Sequence, residues 1–206
     1  MRKADKALYL AKEKGKNRHI IYEERLHGKL ESDDMQNMAM AYAVSKEKKR
    51  EVITKMITEL CVSGVNSIVK KEERLQQIRS LFDLDGITIY SESGAQLVCR
   101  NGNYMVEVPD GRGLFEDEKY LALFGDDDNF IESNTLKLRF QDPAAFAVMQ
   151  KQEIGASLQC LSRKEGVPNV IVNYDVFNRN RKWSDEDITL LTILGHCIGN
   201  LLNYSE

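Results

Sequence analysis

The stretch 169–202 constrains this chain more than any other, because it sets a half-buried strand, a short basic loop and a capped apolar helix end to end. Val170, Val172, Tyr174 and Val176 alternate with Ile171, Asn173 and Asp175, the two-residue period of a strand with one packed face and one partly polar face. Upstream, 156–162 is a second candidate strand with Leu158 and Cys160 on one side, and Gly166 and Pro168 offer a turn, so the two read as a hairpin. Downstream, Ser184 can cap a helix through its hydroxyl, and Asp185, Glu186 and Asp187 place negative charge at the positive end of the helix dipole. That helix carries Ile188, Leu190, Leu191, Ile193, Leu194, Cys197, Ile198, Leu201 and Leu202, an apolar surface too wide for a lone surface helix. Gly195 and Gly199 lie four apart on it. Each costs about 1 kcal/mol relative to alanine unless close packing returns it, so the spacing predicts a helix–helix contact.

With 206 residues, 42% of them hydrophobic and 30% charged, there is room for one good-sized domain with an ordinary core, plus appendages. The net charge is −3. The one dense charge run, 45–51, alternates lysine with glutamate and has no aromatic platform, which makes it a solvated helical face and not a nucleic-acid surface. No stretch approaches the roughly 20 apolar residues of a membrane span, and no apolar segment follows a basic start as in a secretory signal; a cytoplasmic location is the expectation. Cys61, Cys99, Cys160 and Cys197 are scattered without the close spacing of a zinc or redox motif, and are expected to be buried free thiols. Asp126, Asp127 and Asp128 lack the alternate-residue spacing of a calcium loop, so no metal is expected.

Between the ends of the chain, hydrophobic spacing predicts the following elements. Ser32, Asp33 and Asp34 can start a helix in which Met35, Met38 and Tyr42, and later Val52, Ile53, Met56, Ile57 and Leu60, recur at three- and four-residue intervals. A bend is expected at Ser63 and Gly64, then a second helix with Leu75, Ile78, Leu81 and Phe82, ending near Asp83. Strands are expected at 86–90, 96–100 and 104–108, the last two joined by Asn101-Gly102. A short helix at 115–124 and a strand through Leu136, Leu138 and Phe140 follow, and Asp142-Pro143 opens a helix expected to end at Gly155.

The segment ADKALYLAKEKGKNR, 4–18, closely resembles the last helix and following turn of the GGDEF family of diguanylate cyclases, with 19–22 as the short strand after it. The resemblance implies that Lys12 and Lys16 stand where the family contacts nucleotide phosphates. The second is usually arginine there, so the bidentate contact is lost, and both lysines are expected to be idle here. The GGDEF signature loop and the metal-binding aspartates are absent, so a non-catalytic fragment is implied. The expected organisation is 1–26 as the end of a GGDEF-like domain, 27–50 as a helical linker and 51–206 as a sensor domain, with Met1 falling inside a longer multidomain protein.

The predicted element order gives an α+β domain in which an antiparallel sheet of about six strands is flanked by helices, with a helical extension before it. Over about 51–204, on GITIY at 86–90 and VNYDVFNRNRKWSDEDITLLTILG at 172–195, the chain resembles GAF domains. Trp183 stands where many members have phenylalanine, and Ile188 follows Asp187 where cyclic-nucleotide-binding members tend to carry an Asp-Glu pair, which argues against a cyclic nucleotide. The resemblance implies a ligand pocket between the sheet and the variable middle segment, drawing on Arg100, Tyr104, Phe130, Arg139, Phe140 and Asn173. It also implies a homodimer through the first and last GAF helices, with adjacent signalling domains as partners. The ligand and any cofactor are unknown. The leading expectation is a regulatory small-molecule-sensing and dimerisation module of a bacterial cyclic-di-GMP signalling protein. The alternatives are a purely structural dimerisation domain without ligand, and a GAF-type free methionine sulfoxide reductase using Cys99 and Cys160. Covalent bilin attachment to a cysteine, and haem held by His196, are weaker still.

Overall fold

The computed structural model describes residues 7, 21, 23, 32–63, 72–92, 94–100 and 111–203. The chain divides into two compact units, Met1–Arg50 and Glu51–Glu206. The cyclase-like stretch with Lys12 and Lys16, and the hairpin and strand expected at 101–108 with Tyr104, lie outside the described residues.

Helix α1 (Ser32–Ser63) runs through the charged stretch 45–51, whose residues are exposed or half-buried. In the second unit, Ile53, Met56 and Leu60 form its buried stripe. Helix α2 (Glu72–Leu81) adds Leu75 and Ile78, with Phe82 just beyond its end. The chain then enters β1 (Gly86–Ser91) and β2 (Gly94–Arg100). A 3-10 turn (Arg112–Phe115) and the short α3 (Glu118–Leu121) lead to β3 (Asn129–Glu132). After a second 3-10 turn (Thr135–Lys137) come α4 (Leu138–Gln141) and α5 (Pro143–Lys151). The long hairpin β4 (Ile154–Lys164) and β5 (Val167–Phe177) precedes α6 (Asp185–Asn203).

All neighbouring strands are antiparallel, in the order β2-β1-β5-β4-β3. The hairpin turns at Glu165 and Gly166, both with positive φ (53° and 84°), as a two-residue loop of the primed type requires. Pro168 is not in the turn: it sits in β5 opposite Arg163, beside a register irregularity where its missing amide breaks no regular ladder.

One sheet face, built from Ile87, Ile89, Leu158, Cys160, Val172 and Tyr174, packs against α1, α2 and α6. Helix α6 contributes Leu191, Leu194 and Ile198 there, and burial of one such side chain stabilises by about 1.5–3 kcal/mol. Gly195 and Gly199 explain how α6 comes so close, and they correct the helix–helix reading. A Cβ on Gly195 would sit 2.6 Å from Cys160 Sγ, and one on Gly199 would overlap Ser162, so both glycines face β4. The spacing signals close approach correctly, but a sheet can demand it as well as a helix.

The opposite face is covered by the middle of the chain, with Tyr120, Phe124, Leu138, Ala145 and Met149 packing on Tyr90, Phe130, Leu161, Ile171 and Phe177. The strand expected through Leu136, Leu138 and Phe140 is instead helical. Leu138 is buried while Leu136 and Phe140 are exposed, so the alternation does not mark one packed face. Asn134 caps the 3-10 turn by accepting from the Leu136 amide at 3.1 Å, which favours helical backbone there. Asp142 caps α5 as expected, accepting from the Ala144 and Ala145 amides. That helix stops at Lys151, and Gly155 already belongs to β4.

Arg181 fixes the loop between β5 and α6. Its guanidinium donates to the carbonyls of Phe82 (2.5 Å) and Asp83 (2.9 Å) and to Asp187 Oδ2 (3.0 Å), and stacks 4.3 Å from the centre of the Trp183 ring. Trp183 Nε1 donates to Glu132 O at 3.3 Å, and Ser184 Oγ accepts from the Asp187 amide as the N-cap expectation requires.

Candidate functional site

Strand register collects polar side chains on the sheet face beneath the middle segment. Val98, Thr88, Asn173, Gln159 and Phe130 lie opposite one another across the five strands, and so do Arg100, Gly86, Asp175, Ser157 and Glu132. Directly paired residues share a face, so two nearly parallel rows cross the sheet. Thr88, Gln159, Asp175 and Ser157 are all buried, and Asn173 is 6% exposed.

Much of this polar layer is internally bonded. Tyr120 donates its hydroxyl to Gln159 Oε1 (2.5 Å), Gln159 Nε2 donates to Ser157 Oγ (3.0 Å), and Ser157 donates to Asp175 Oδ1 (2.6 Å). Burial pushes the Asp175 carboxyl up to about 6, against the opposing effects of the Ser157 hydrogen bond and the Arg100 charge. Burial likewise pushes the Tyr90 and Tyr120 hydroxyls above their usual range. Besides Asp142 Oδ2 and, on the helical face, Ser162 Oγ and Tyr174 Oη, the buried atoms left without a hydrogen-bond partner among the described residues include two in this layer, Asn173 Oδ1 and Thr88 Oγ1. They belong to residues directly opposite each other on β5 and β1.

Above this layer lies a cavity of about 60 Å³. Its floor is Tyr90, Gln159 and Asn173; Leu114, Asp117 and Tyr120 form one wall, and Ala145, Val148, Met149 and Gln152 another. Asp117 is tied up as the N-cap of α3, accepting from the Lys119 and Tyr120 amides at 3.1 Å. At the rim, Arg100 donates to Gln152 Oε1 at 2.7 Å, and its guanidinium lies 5.2 Å from the centre of the Phe177 ring. Gly86 makes that stacking possible: a Cβ there would sit 2.9 Å from the Phe177 ring. The groove between α3 and α5 is wider but open, and the helix end beside it is already capped by Asp142.

Of the residues expected at a site, the structure brings Arg100 and Asn173 to this cavity, Arg100 at its rim and Asn173 in its floor. Phe130 shares the polar row but is buried among aromatic rings, 6.1 Å from Phe124. Arg139 and Phe140 point away on α4, Phe140 at 87% exposure. Tyr90, Tyr120, Gln152 and Gln159 are additions. A sequence signal existed for Gln159, since Ser157 and Gln159 alternate with Leu158 and Cys160 in β4 as Asn173 and Asp175 alternate with apolar residues in β5. Nothing local marks Tyr120 or Gln152.

Cys99 and Cys160 face the helical side, away from the cavity, and burial pushes the Cys160 thiol well above its usual range. This placement does not supply the accessible thiolate that sulfoxide chemistry requires. His196 Nε2 lies 3.0 Å from Asn129 Oδ1, and its burial opposes protonation.

No family model matches the sequence, and no curated protein matches it either. Solved structures do. A phycocyanobilin-bound GAF domain from a cyanobacterial phytochrome aligns with 76% of this chain and 94% of its own length, at a TM-score of 0.59 and 10% identity. The chromophore-binding domain of a Stigmatella aurantiaca bacteriophytochrome aligns with 78% of this chain and 61% of its own length, at 0.58 and 14% identity. A red/green cyanobacteriochrome in its red light-absorbing state aligns with 69% and 96%, at 0.53 and 16% identity. Sheet order, the helices on one face and the helical middle segment on the other, together with these likenesses, show that the chain has the fold of a GAF domain.

Proposed function

We propose that the second unit is a regulatory module that senses a small molecule in the cavity under the middle segment, and that it is not itself catalytic. The observation that carries this reading is the cavity itself, enclosed between the middle segment and the sheet, with the polar side chains of Tyr90, Gln159 and Asn173 converging in its floor. A bound ligand would act by population shift, favouring one packing of the middle segment over another and relaying that preference through the sheet to α1 and α6.

The bilins named in the related structures do not suit this cavity. At about 60 Å³ it is far below the roughly 300–1,000 Å³ of ordinary ligand pockets, and none of its described lining residues is a cysteine. Dimerisation through the first and last helices of the domain is part of the proposal. Val62 on α1 and Ile193 on α6 leave apolar surface exposed that a second copy would cover. The cyclic-di-GMP context rests on the resemblance of 4–18 to the end of a diguanylate cyclase domain. A second reading, a dimerisation domain without ligand, is favoured by the cavity's small size and by the hydrogen-bonded chain from Tyr120 to Asp175.

A thermal-shift screen against nucleotides, cyclic dinucleotides, amino acids and common metabolites, run on wild type and Asn173→Leu with solution mass measured in parallel, separates the two. Sensing predicts a saturable gain in wild type, about 2.7 kcal/mol at a hundredfold excess over Kd, that Asn173→Leu loses. A clean dimer with no shift against the whole panel favours the structural reading.

A further inference from the structure

Resting on that sensing role, we infer that the Arg100–Gln152 hydrogen bond is a strap across the cavity rim, and that ionisation of Asp175 releases it by drawing Arg100 away from Gln152. Gln152 ends the cavity wall that α5 supplies, and Arg100 Nη2, from β2, donates to its Oε1 at 2.7 Å. The backbone beside the strap is anchored independently. The Gln152 amide donates back to the carbonyls of Val148 and Met149, and Asn178 donates to Glu153 O (2.7 Å) and Glu153 Oε2 (3.0 Å). What Arg100 holds is therefore the Gln152 side chain.

Register brings the competing partner into range. Arg100, Gly86 and Asp175 follow one another across β2, β1 and β5, and the residue between the two charged ones has no side chain. Neighbouring strands lie about 4.8 Å apart, so the gap is about 10 Å between Cα atoms, which an arginine and an aspartate close from opposite sides. The guanidinium already rests against the Phe177 ring beside that gap. While Asp175 is neutral it does not compete for a cation. Once ionised, it is a buried anion, and a charged oxygen attracts a guanidinium more strongly than the neutral Gln152 amide does. Its carboxyl, held up to about 6 by burial, changes charge in an accessible range. No other group facing it brings a positive charge. Ser157 on β4 donates a neutral hydroxyl, and Tyr90 on β1 and Tyr120 on α3 keep their protons. Glu132, at the far end of the row on β3, accepts from the Asn134 amide and pairs with Lys137. Asp85, whose amide donates to Asp175 O, turns its carboxylate to the Phe177 amide and to Arg179. The strap is thus closed at acid pH and released near neutrality.

NMR of the whole chain from about pH 4.5 to about pH 7.5 tests this, following the Gln152 side-chain amide and, as reporter of Asp175, the Ser157 backbone amide. In wild type both are expected to titrate with a common midpoint near 6. In Arg100→Gln the Ser157 signal should still titrate while Gln152 stays constant, and in Asp175→Asn neither should move. Gln152 constant in wild type, or titrating unchanged in either variant, overturns the inference; should Asp175→Asn not fold, wild type and Arg100→Gln decide. A ligand from the screen should bind more tightly at about pH 7.5 than at about pH 5 in wild type and equally at both in Asp175→Asn. Equal affinity in wild type overturns the strap as a gate and leaves the sensing role standing. A panel without a hit at either pH sinks the sensing role and the gate with it.

Discussion

The two faces of the sheet are covered by the same chain but solve different problems. On the helical face, Leu158, Cys160, Val172 and Tyr174 meet α1, α2 and α6 in a largely apolar core, drawn close by Gly195 and Gly199. On the other face the same strands, one residue out of phase, present Ser157, Gln159, Asn173 and Asp175 to short helical turns and a cavity. One face is shaped for packing. The other keeps a hydrogen-bonded row of buried polar side chains beside a cavity; unsatisfied buried atoms occur on both, Asn173 Oδ1 and Thr88 Oγ1 here and Ser162 Oγ and Tyr174 Oη on the helical side.

Substitutions break the comparison in order of expected size. Leu158→Ala empties a fully buried position on the helical face and is expected to cost about 3–4 kcal/mol in urea unfolding. Gly195→Leu forces side-chain atoms into Cys160 and is expected to cost about 3 kcal/mol; a variant of unchanged stability would show that α6 is not seated on β4 as described.

The polar face responds to pH. The folded Asp175 carboxyl, pushed up to about 6, holds its proton more tightly than an unfolded aspartate near 3.9. Its contribution is fully present below about pH 4 and is lost as the pH rises through 6, a change of about 2–3 kcal/mol. Asp175→Asn should remove that component, so the difference between the two unfolding profiles should grow from pH 4 to 6.5 in favour of the variant. Parallel profiles would mean that Asp175 is not a buried acid of raised proton affinity. Smallest and opposite in sign to the first two, Thr88→Val replaces an unsatisfied hydroxyl by a methyl of similar shape and should stabilise by up to about 1 kcal/mol. A loss above 1 kcal/mol would reveal a hydrogen bond from Thr88.

The helical face was the more legible in sequence. Alternation in 170–176, the Ser184 cap and the broad apolar surface of α6 each follow from local rules, and α6 runs Asp185–Asn203 as those rules suggest. What the glycines meet was not legible, because a close approach has the same signature whichever element makes it. The middle segment was misread where alternation of Leu136, Leu138 and Phe140 imitated a strand, while the capping oxygen of Asn134 decides for helix. The site was half legible. Asn173 and Arg100 stand out as polar residues in apolar strands, but Tyr120 and Gln152 reach the cavity only through the packing of α3 and α5, which no local pattern encodes.

The most direct test of the account is a chemical-shift map of the wild-type chain with a saturating ligand found in the screen. The account predicts the largest perturbations at Tyr90, Gln159 and Asn173, with smaller ones relayed to α6. Perturbations centred on Cys160 and Gly195, or scattered over the surface without saturation, would contradict it: the polar layer would then not be the site.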